Sequence, residues 1–100
     1  MALLFTWDAA KAVGNWRKHR ITFETAARVF ADPFALTDQD RIEDGEYRWQ
    51  TIGSIEGVVV LVAHTVRGLD DETQTIHIIS ARRAKRPERQ RYEEERARQL

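Results

Sequence analysis

The run VVVLVAHTV, from Val58 to Val66, restricts the fold more than any other stretch of the chain. It is almost unbroken apolar and β-branched sequence, with SIEG before it and RGLDDE after it. A run of that length and composition between two glycine-containing turn signals reads as the central strand of a sheet. On its N-terminal side, YRWQTIG carries aromatic and β-branched residues at alternate positions, and on its C-terminal side TQTIHIISA does much the same. Three such runs with short connections predict an antiparallel meander.

The first third of the chain has a different period. Leu3 to Thr6 reads as a short strand. Asp8 is placed to cap a helix over AAKAVGNWRKH, with Ala9, Ala12, Val13 and Trp16 as its apolar stripe. Thr22 starts a second helix, in which Phe23, Ala26, Ala27 and Phe30 recur at helical spacing. Asp32-Pro33 ends it, because a residue before proline is pushed out of helical geometry. FALT follows as a short strand, and DQDRIEDGE reads as a solvated polar loop. Pro87 suits the first turn of a closing helix. The three tryptophans, Trp7, Trp16 and Trp49, are read as core. The order is strand, two helices, three or four strands, helix: an α+β fold in one domain over residues 1–100, with the first helices on one face of the sheet.

Composition narrows the chemistry. The chain has no cysteine, which excludes disulfides and thiolate zinc sites. Its N-terminus lacks the apolar run and cleavage pattern of a signal peptide, and no window reaches the length of a membrane span. These features predict a soluble, cytoplasmic protein with no membrane association. The three histidines, His19, His64 and His77, make no helical metal pair, and no phosphate loop or nucleophile elbow is present. No metal or other cofactor is expected.

Net charge is zero, but the charges are unevenly spread along the chain. Eight of the 16 basic residues lie between Arg82 and Arg98, and acids gather between Asp38 and Glu46 and again at Asp70, Asp71 and Glu72. This predicts separate basic and acidic faces. Arginine outnumbers lysine thirteen to three, which suits two-pronged binding of phosphate or carboxylate. In a regular strand Arg82 shares a face with Ser80 and Ile78, and Arg83 shares the other with Ala81 and Ile79. Metal-free RNA cleavage needs a group to deprotonate the 2′-hydroxyl, charge to stabilise the phosphorane, and a proton for the leaving oxygen. Arginine supplies the charge; His, Glu or Tyr exchanges protons. Each candidate has a plainer reading: a histidine after an apolar run is more often core than base, and Tyr92 anchors an otherwise polar helix.

The ordered set FTWDAAKAVGNWRKHRITFETAARVFADP, YRWQTIG, VVVLVAHTVRG and IHIISARRAKRPERQRYEE resembles BrnT toxins from Phe5 to about Glu94. One departure is Lys85 with Pro87, where a hydroxylated cap is expected before the last helix. The resemblance implies a RelE-like fold in a bacterial type II toxin–antitoxin system. It implies a metal-independent ribonuclease that blocks translation, masked by a BrnA-like ribbon-helix-helix antitoxin in a 2:2 heterotetramer. Operator DNA would be reached only through that antitoxin. On the fold so implied, the catalytic candidates are Arg82 or Arg83 with Arg48 in support, and His64 and Tyr92 for protons. Lys18, His19, Arg86 and Arg89 are placed as RNA contacts. The competing reading is a non-catalytic arginine-rich module that grips nucleic acid or an acidic protein.

Overall fold

A computed structural model describes residues 2–68 and 72–100. Asp70 and Asp71, part of the second acidic cluster, and most of the turn between the last two strands lie outside the described residues. The fold is α+β. A strand β1 (Ala2–Trp7) leads into helix α1 (Ala9–His19), then a short helix α2 (Phe23–Ala26) that tightens into a 3-10 turn (Ala27–Ala31). Strands β2 (Leu36–Glu43), β3 (Glu46–Ile55), β4 (Val58–Arg67) and β5 (Thr73–Arg83) follow, and helix α3 (Arg86–Gln99) closes the chain. The sheet order is β1-β5-β4-β3-β2, so β4 is central, as its apolar run predicts. All neighbours are antiparallel except β1 with β5.

The helix starts follow from local chemistry. Asp8 accepts a hydrogen bond from the Lys11 backbone N–H at 3.1 Å, and Thr22 accepts one from the Thr25 N–H at 3.1 Å. Each satisfies a donor that the first helical turn leaves unpaired. Asp32 ends the 3-10 turn in extended geometry, as Pro33 requires. Lys85, which has no acceptor in its side chain, begins α3 without a hydroxyl. Glu88 compensates from three residues on, accepting the Lys85 N–H at 2.7 Å.

One face of the sheet is covered by α1, α2 and the 3-10 turn. Phe23, Ala26 and Val29 pack there against Ile55, Val60, Val62, Ile76, Ile78 and Ala81. On the opposite face a smaller cluster joins Ile52 and Leu61 to Tyr92, the one buried residue of α3. The two helical layers therefore lie on opposite sides, and α3 covers only one end of its side.

Three expectations are corrected. DQDRIEDGE is not a loop: most of it lies in β2, paired with β3 as an edge strand, and the chain reverses at Asp44-Gly45 with φ of 51° and 78°. An edge strand pairs on one side only and leaves its outer edge to solvent, so its polarity does not preclude a strand. Second, the buried line of α1 runs through Ala12 and Asn15, while Val13 and Trp16 are 50% and 45% exposed. Trp16 is thus a surface residue, with the Arg20 guanidinium over its ring at 5.3 Å. Third, Ala63 pairs with Ser80 but His64 pairs with Ile78, so Ile79 is an extra residue, a β-bulge. The bulge reverses the phase of the strand end. Ile78 and Ala81 share the helix-covered core, and Arg82 lies on the side opposite to Ile78, not with it.

Asn15 explains how the bulged strand end is held. Pairing with β1 stops at Trp7 opposite Ile78, five residues before β5 ends. Beyond it, the Asn15 amide donates to the Ala81 carbonyl at 2.9 Å and its oxygen accepts from the Ala81 N–H at 3.0 Å. It also donates to the Ile21 carbonyl at 3.0 Å. The side chain thus stands in for the missing strand. Asn15→Ala leaves a buried donor and acceptor without partners and is expected to destabilise the fold by about 3 kcal/mol, read from urea unfolding.

Candidate functional site

Because α3 covers only one end of its side, no helix covers the rest of that face, and strand alternation decides which residues line it. Register places Arg41 opposite Arg48, and Thr65 opposite His77, which is in turn opposite Thr6. Arg48 stands one step beyond the Trp49–His64 pair, beside Thr65. A single polar row, Arg41, Arg48, Thr65, His77, Thr6, therefore crosses all five strands; Thr65 at its centre is 2% exposed and its hydroxyl is buried without a partner, while the residues on either side of it reach the surface. Arg48 and His77 are two strands apart, roughly 10 Å between backbones.

The row is flanked by paired charges. Arg67 binds Glu46 through two hydrogen bonds of 3.2 Å, and this holds the Glu46 carboxyl below its ordinary value. Arg41 donates to Glu43 at 3.0 Å, and Arg48 approaches the same oxygen at 3.6 Å. Glu43 is lowered first by the Arg41 hydrogen bond and then by the Arg48 charge. The Lys11 ammonium acts electrostatically on both His77 and Glu43.

His77 shares a 2.9 Å hydrogen bond between Nδ1 and the Thr6 hydroxyl. Its pKa is lowered by partial burial and then by the Arg67 charge, with Glu46 and Asp8 opposing. His64 lies on the opposite, helix-covered side. It is 2% exposed, with Nε2 bonded to the Thr51 hydroxyl at 2.8 Å and its ring against the Phe30 edge. Burial pushes its pKa down to about 4, so it is neutral at physiological pH, inside the helix-covered core.

The candidates from sequence are therefore distributed, not assembled. Arg48 lies on the open row. Arg82 lies on the same face near α3, where Glu88 fills its guanidinium fork at 2.8 and 2.9 Å. Arg83 is on the other face, beside Ile21, Val58 and Val60. Lys18 and His19 sit in the last turn of α1, in the layer across the sheet from Arg48. Arg86 and Arg89 are exposed on the first turns of α3. Tyr92 is 2% exposed, and burial followed by the Asp32 interaction raises its pKa to about 12.

Sequence reasoning passed over His77, although a signal was present. In TQTIHII, Thr73, Thr75 and His77 alternate with Gln74, Ile76 and Ile78, so the histidine faces away from the core isoleucines. The predicted separation of basic and acidic faces also fails in space. Arg91 pairs with Asp38, Arg48 with Glu43 and Arg67 with Glu46, because the hairpin carries its acids back across the arginines.

A concavity of about 520 Å³ lies away from this row, where α3 meets the 3-10 turn. Its polar groups are already engaged. Asp32 accepts from the Ser54 N–H at 2.7 Å, the Phe34 N–H at 2.9 Å and the Tyr92 hydroxyl. Arg28 pairs with Glu56, and Arg96 stacks over Phe34. This cleft is a fastening for α3. Among the described residues no helix is long and apolar enough to cross a membrane.

A mixed sheet with α1, α2 and the 3-10 turn on one face, and a polar row beside α3 on the other, defines an α+β protein with a sheet-borne charged surface. Residues 7–88 match the family described as ribonuclease toxin, BrnT, of type II toxin–antitoxin system, and the chain belongs to that family. No curated protein matches the chain. The family implies an RNA target and an antitoxin partner.

The Asp32 fastening yields a pH prediction. Burial raises the Asp32 carboxyl, but hydrogen bonds from Tyr92, Ser54 and Phe34 and the Arg96 charge outweigh it and leave the group below 3.8. A depressed carboxyl stabilises the fold above its unfolded value, and that stability is lost as pH falls through the folded value. Tyr92→Phe is expected to lower stability by about 2 kcal/mol at neutral pH. The difference from wild type should narrow in unfolding curves below pH 4.

Proposed function

We propose that this chain is a RelE-like cytoplasmic toxin that cleaves RNA without a metal ion and so inhibits translation. The open row carries the reading. It offers a rigid sheet surface with Arg48 on β3, next to the central strand, and electrostatic stabilisation of a phosphorane requires charge fixed in advance. Arg48 holds the phosphate in this reading, because its nearest carboxylate is 3.6 Å away whereas the Arg82 fork is filled by Glu88. Arg82 then ties β5 to α3, and Arg86 and Arg89 flank the RNA path. A BrnA-like ribbon-helix-helix antitoxin neutralises the toxin in a 2:2 assembly and takes it to operator DNA.

The test is RNA cleavage by the purified chain in EDTA, with Arg48→Ala beside it. The wild type is expected to cut, and Arg48→Ala to lose about 10²–10³-fold in rate, as for removal of one charge-stabilising donor. Cutting that returns only with added Mg²⁺ would refute the metal-independent reading. Salt-sensitive RNA binding with no product, on free or ribosome-engaged RNA, would make the chain a binding module.

A further inference from the structure

The cleft beside Asp32 has its polar groups paired, and the exposed Ile42, Tyr47 and Val66 show no sign of what covers them. The polar row also carries the His77 imidazole, held by Thr6 through one nitrogen.

We infer that His77 is the catalytic base of the open sheet face, taking the 2′-hydroxyl proton of RNA through Nε2. This rests on the reading of that face as the RNA seat. The Thr6 hydroxyl fixes Nδ1 at 2.9 Å, so the ring cannot turn freely and its other nitrogen has a set direction. Nε2 has no hydrogen-bond partner among the described residues and is not a buried orphan atom. Thr6 and Thr65 are its row neighbours on either side, and Arg48 stands beyond Thr65. A base and a phosphate-binding cation thus share one row of a rigid sheet. The spacing of about two strands is short enough for an arginine side chain to reach a phosphate whose neighbouring 2′-hydroxyl meets Nε2. His64 has the opposite arrangement, since its Nε2 is bonded to Thr51 in the core.

The step balances without a metal or redox partner. The 2′-hydroxyl proton passes to Nε2 as the 2′-oxygen bonds to phosphorus. The bond from phosphorus to the 5′-oxygen breaks, the 5′-oxygen takes a proton from water, and a 2′,3′-cyclic phosphate remains. His77 then returns its proton to solvent. The neutral imidazole is the active form. The groups acting on it are Arg67 from β4, Glu46 from β3, Lys11 from α1 and Asp8 from the α1 cap, with Thr6 from β1. Arg67 and Lys11 disfavour the imidazolium and Glu46 and Asp8 favour it, while partial burial is the largest influence and lowers the pKa.

The experiment measures cleavage of an mRNA, free and in a translating extract, by wild type, His77→Gln and His77→Ala between pH 5 and 8. Circular dichroism checks folding, and affinity for a 2′-O-methyl RNA that cannot be cut is read in parallel. Loss of about 10²–10⁴-fold in rate in both variants, with affinity within a few-fold of wild type, supports the assignment. So does a wild-type acid limb below pH 6.5 that is absent in His77→Gln, and partial rescue of His77→Ala by imidazole. Variants that cut at wild-type rate, or keep the acid limb, overturn the role of His77. Loss in Arg48→Ala would then still uphold the face as the RNA seat. If wild type cuts neither substrate, the proposal falls together with the reading beneath it.

Discussion

The paired hydrogen bonds between Asn15 and Ala81 hold together what the rest of the structure requires. β5 is the last strand and runs five residues past the end of β1, so its final stretch has an unpartnered edge in the interior. Exposed strand edges and orphaned backbone groups are both unfavourable. One amide side chain from α1 satisfies both backbone groups of Ala81 and also ties down the Ile21 carbonyl. It therefore fixes α1 against the sheet at the point where the strand has just absorbed its bulge. With Ala81 held on the core side, Arg82 must emerge on the other side.

That placement determines how α3 is attached. A helix with one buried apolar residue gains too little from burial to dock by that alone. It docks through polar links instead. Glu88 bridges the Arg82 fork and the first turn of its own helix, Arg91 reaches Asp38 on β2, and Tyr92 reaches Asp32. Exposed ion pairs contribute little each, so the half-buried Arg82–Glu88 pair and the Asp32 fastening carry most of the attachment. A helix tied at one end of a face leaves the remainder uncovered, and the open row is that remainder.

Most of the architecture was legible because it depends on short-range rules. Asp8 and Thr22 cap where they should, Asp32-Pro33 stops the second helix, and Val58 to Val66 takes the central position. What was not legible depends on tertiary accounting. Asn15 in α1 looks like a surface residue until a strand edge needs an amide, and once it turns inward Val13 and Trp16 must turn outward. β2 looks like a loop because an edge strand can be polar, although Asp44-Gly45 was a readable hairpin signal. A bulge is invisible in IHIISARR, yet it alone reverses the faces of Arg82 and Arg83. The same limit applied to the histidines: alternation showed that His77 faced away from Ile76 and Ile78, but only the sheet order shows that its side is open and that of His64 is filled.

The acids on the open face look at first like an obstacle to binding an anion. Their geometry argues for a different role. Glu46 holds Arg67 with two hydrogen bonds and Glu88 holds Arg82 with two, so one two-pronged edge of each guanidinium is already taken. Glu43 spends its hydrogen bond on Arg41 and meets Arg48 only at 3.6 Å, beyond bidentate geometry. The Arg48 Nε is buried without a partner, so the side chain is held down while its bonding capacity is incompletely used. In the proposed role a phosphate would meet the terminal nitrogens, not the buried Nε, without first breaking a two-pronged pair. Among the arginines of this face, Arg48 combines a fixed stem with incomplete pairing, and that combination is what charge stabilisation on a rigid surface demands.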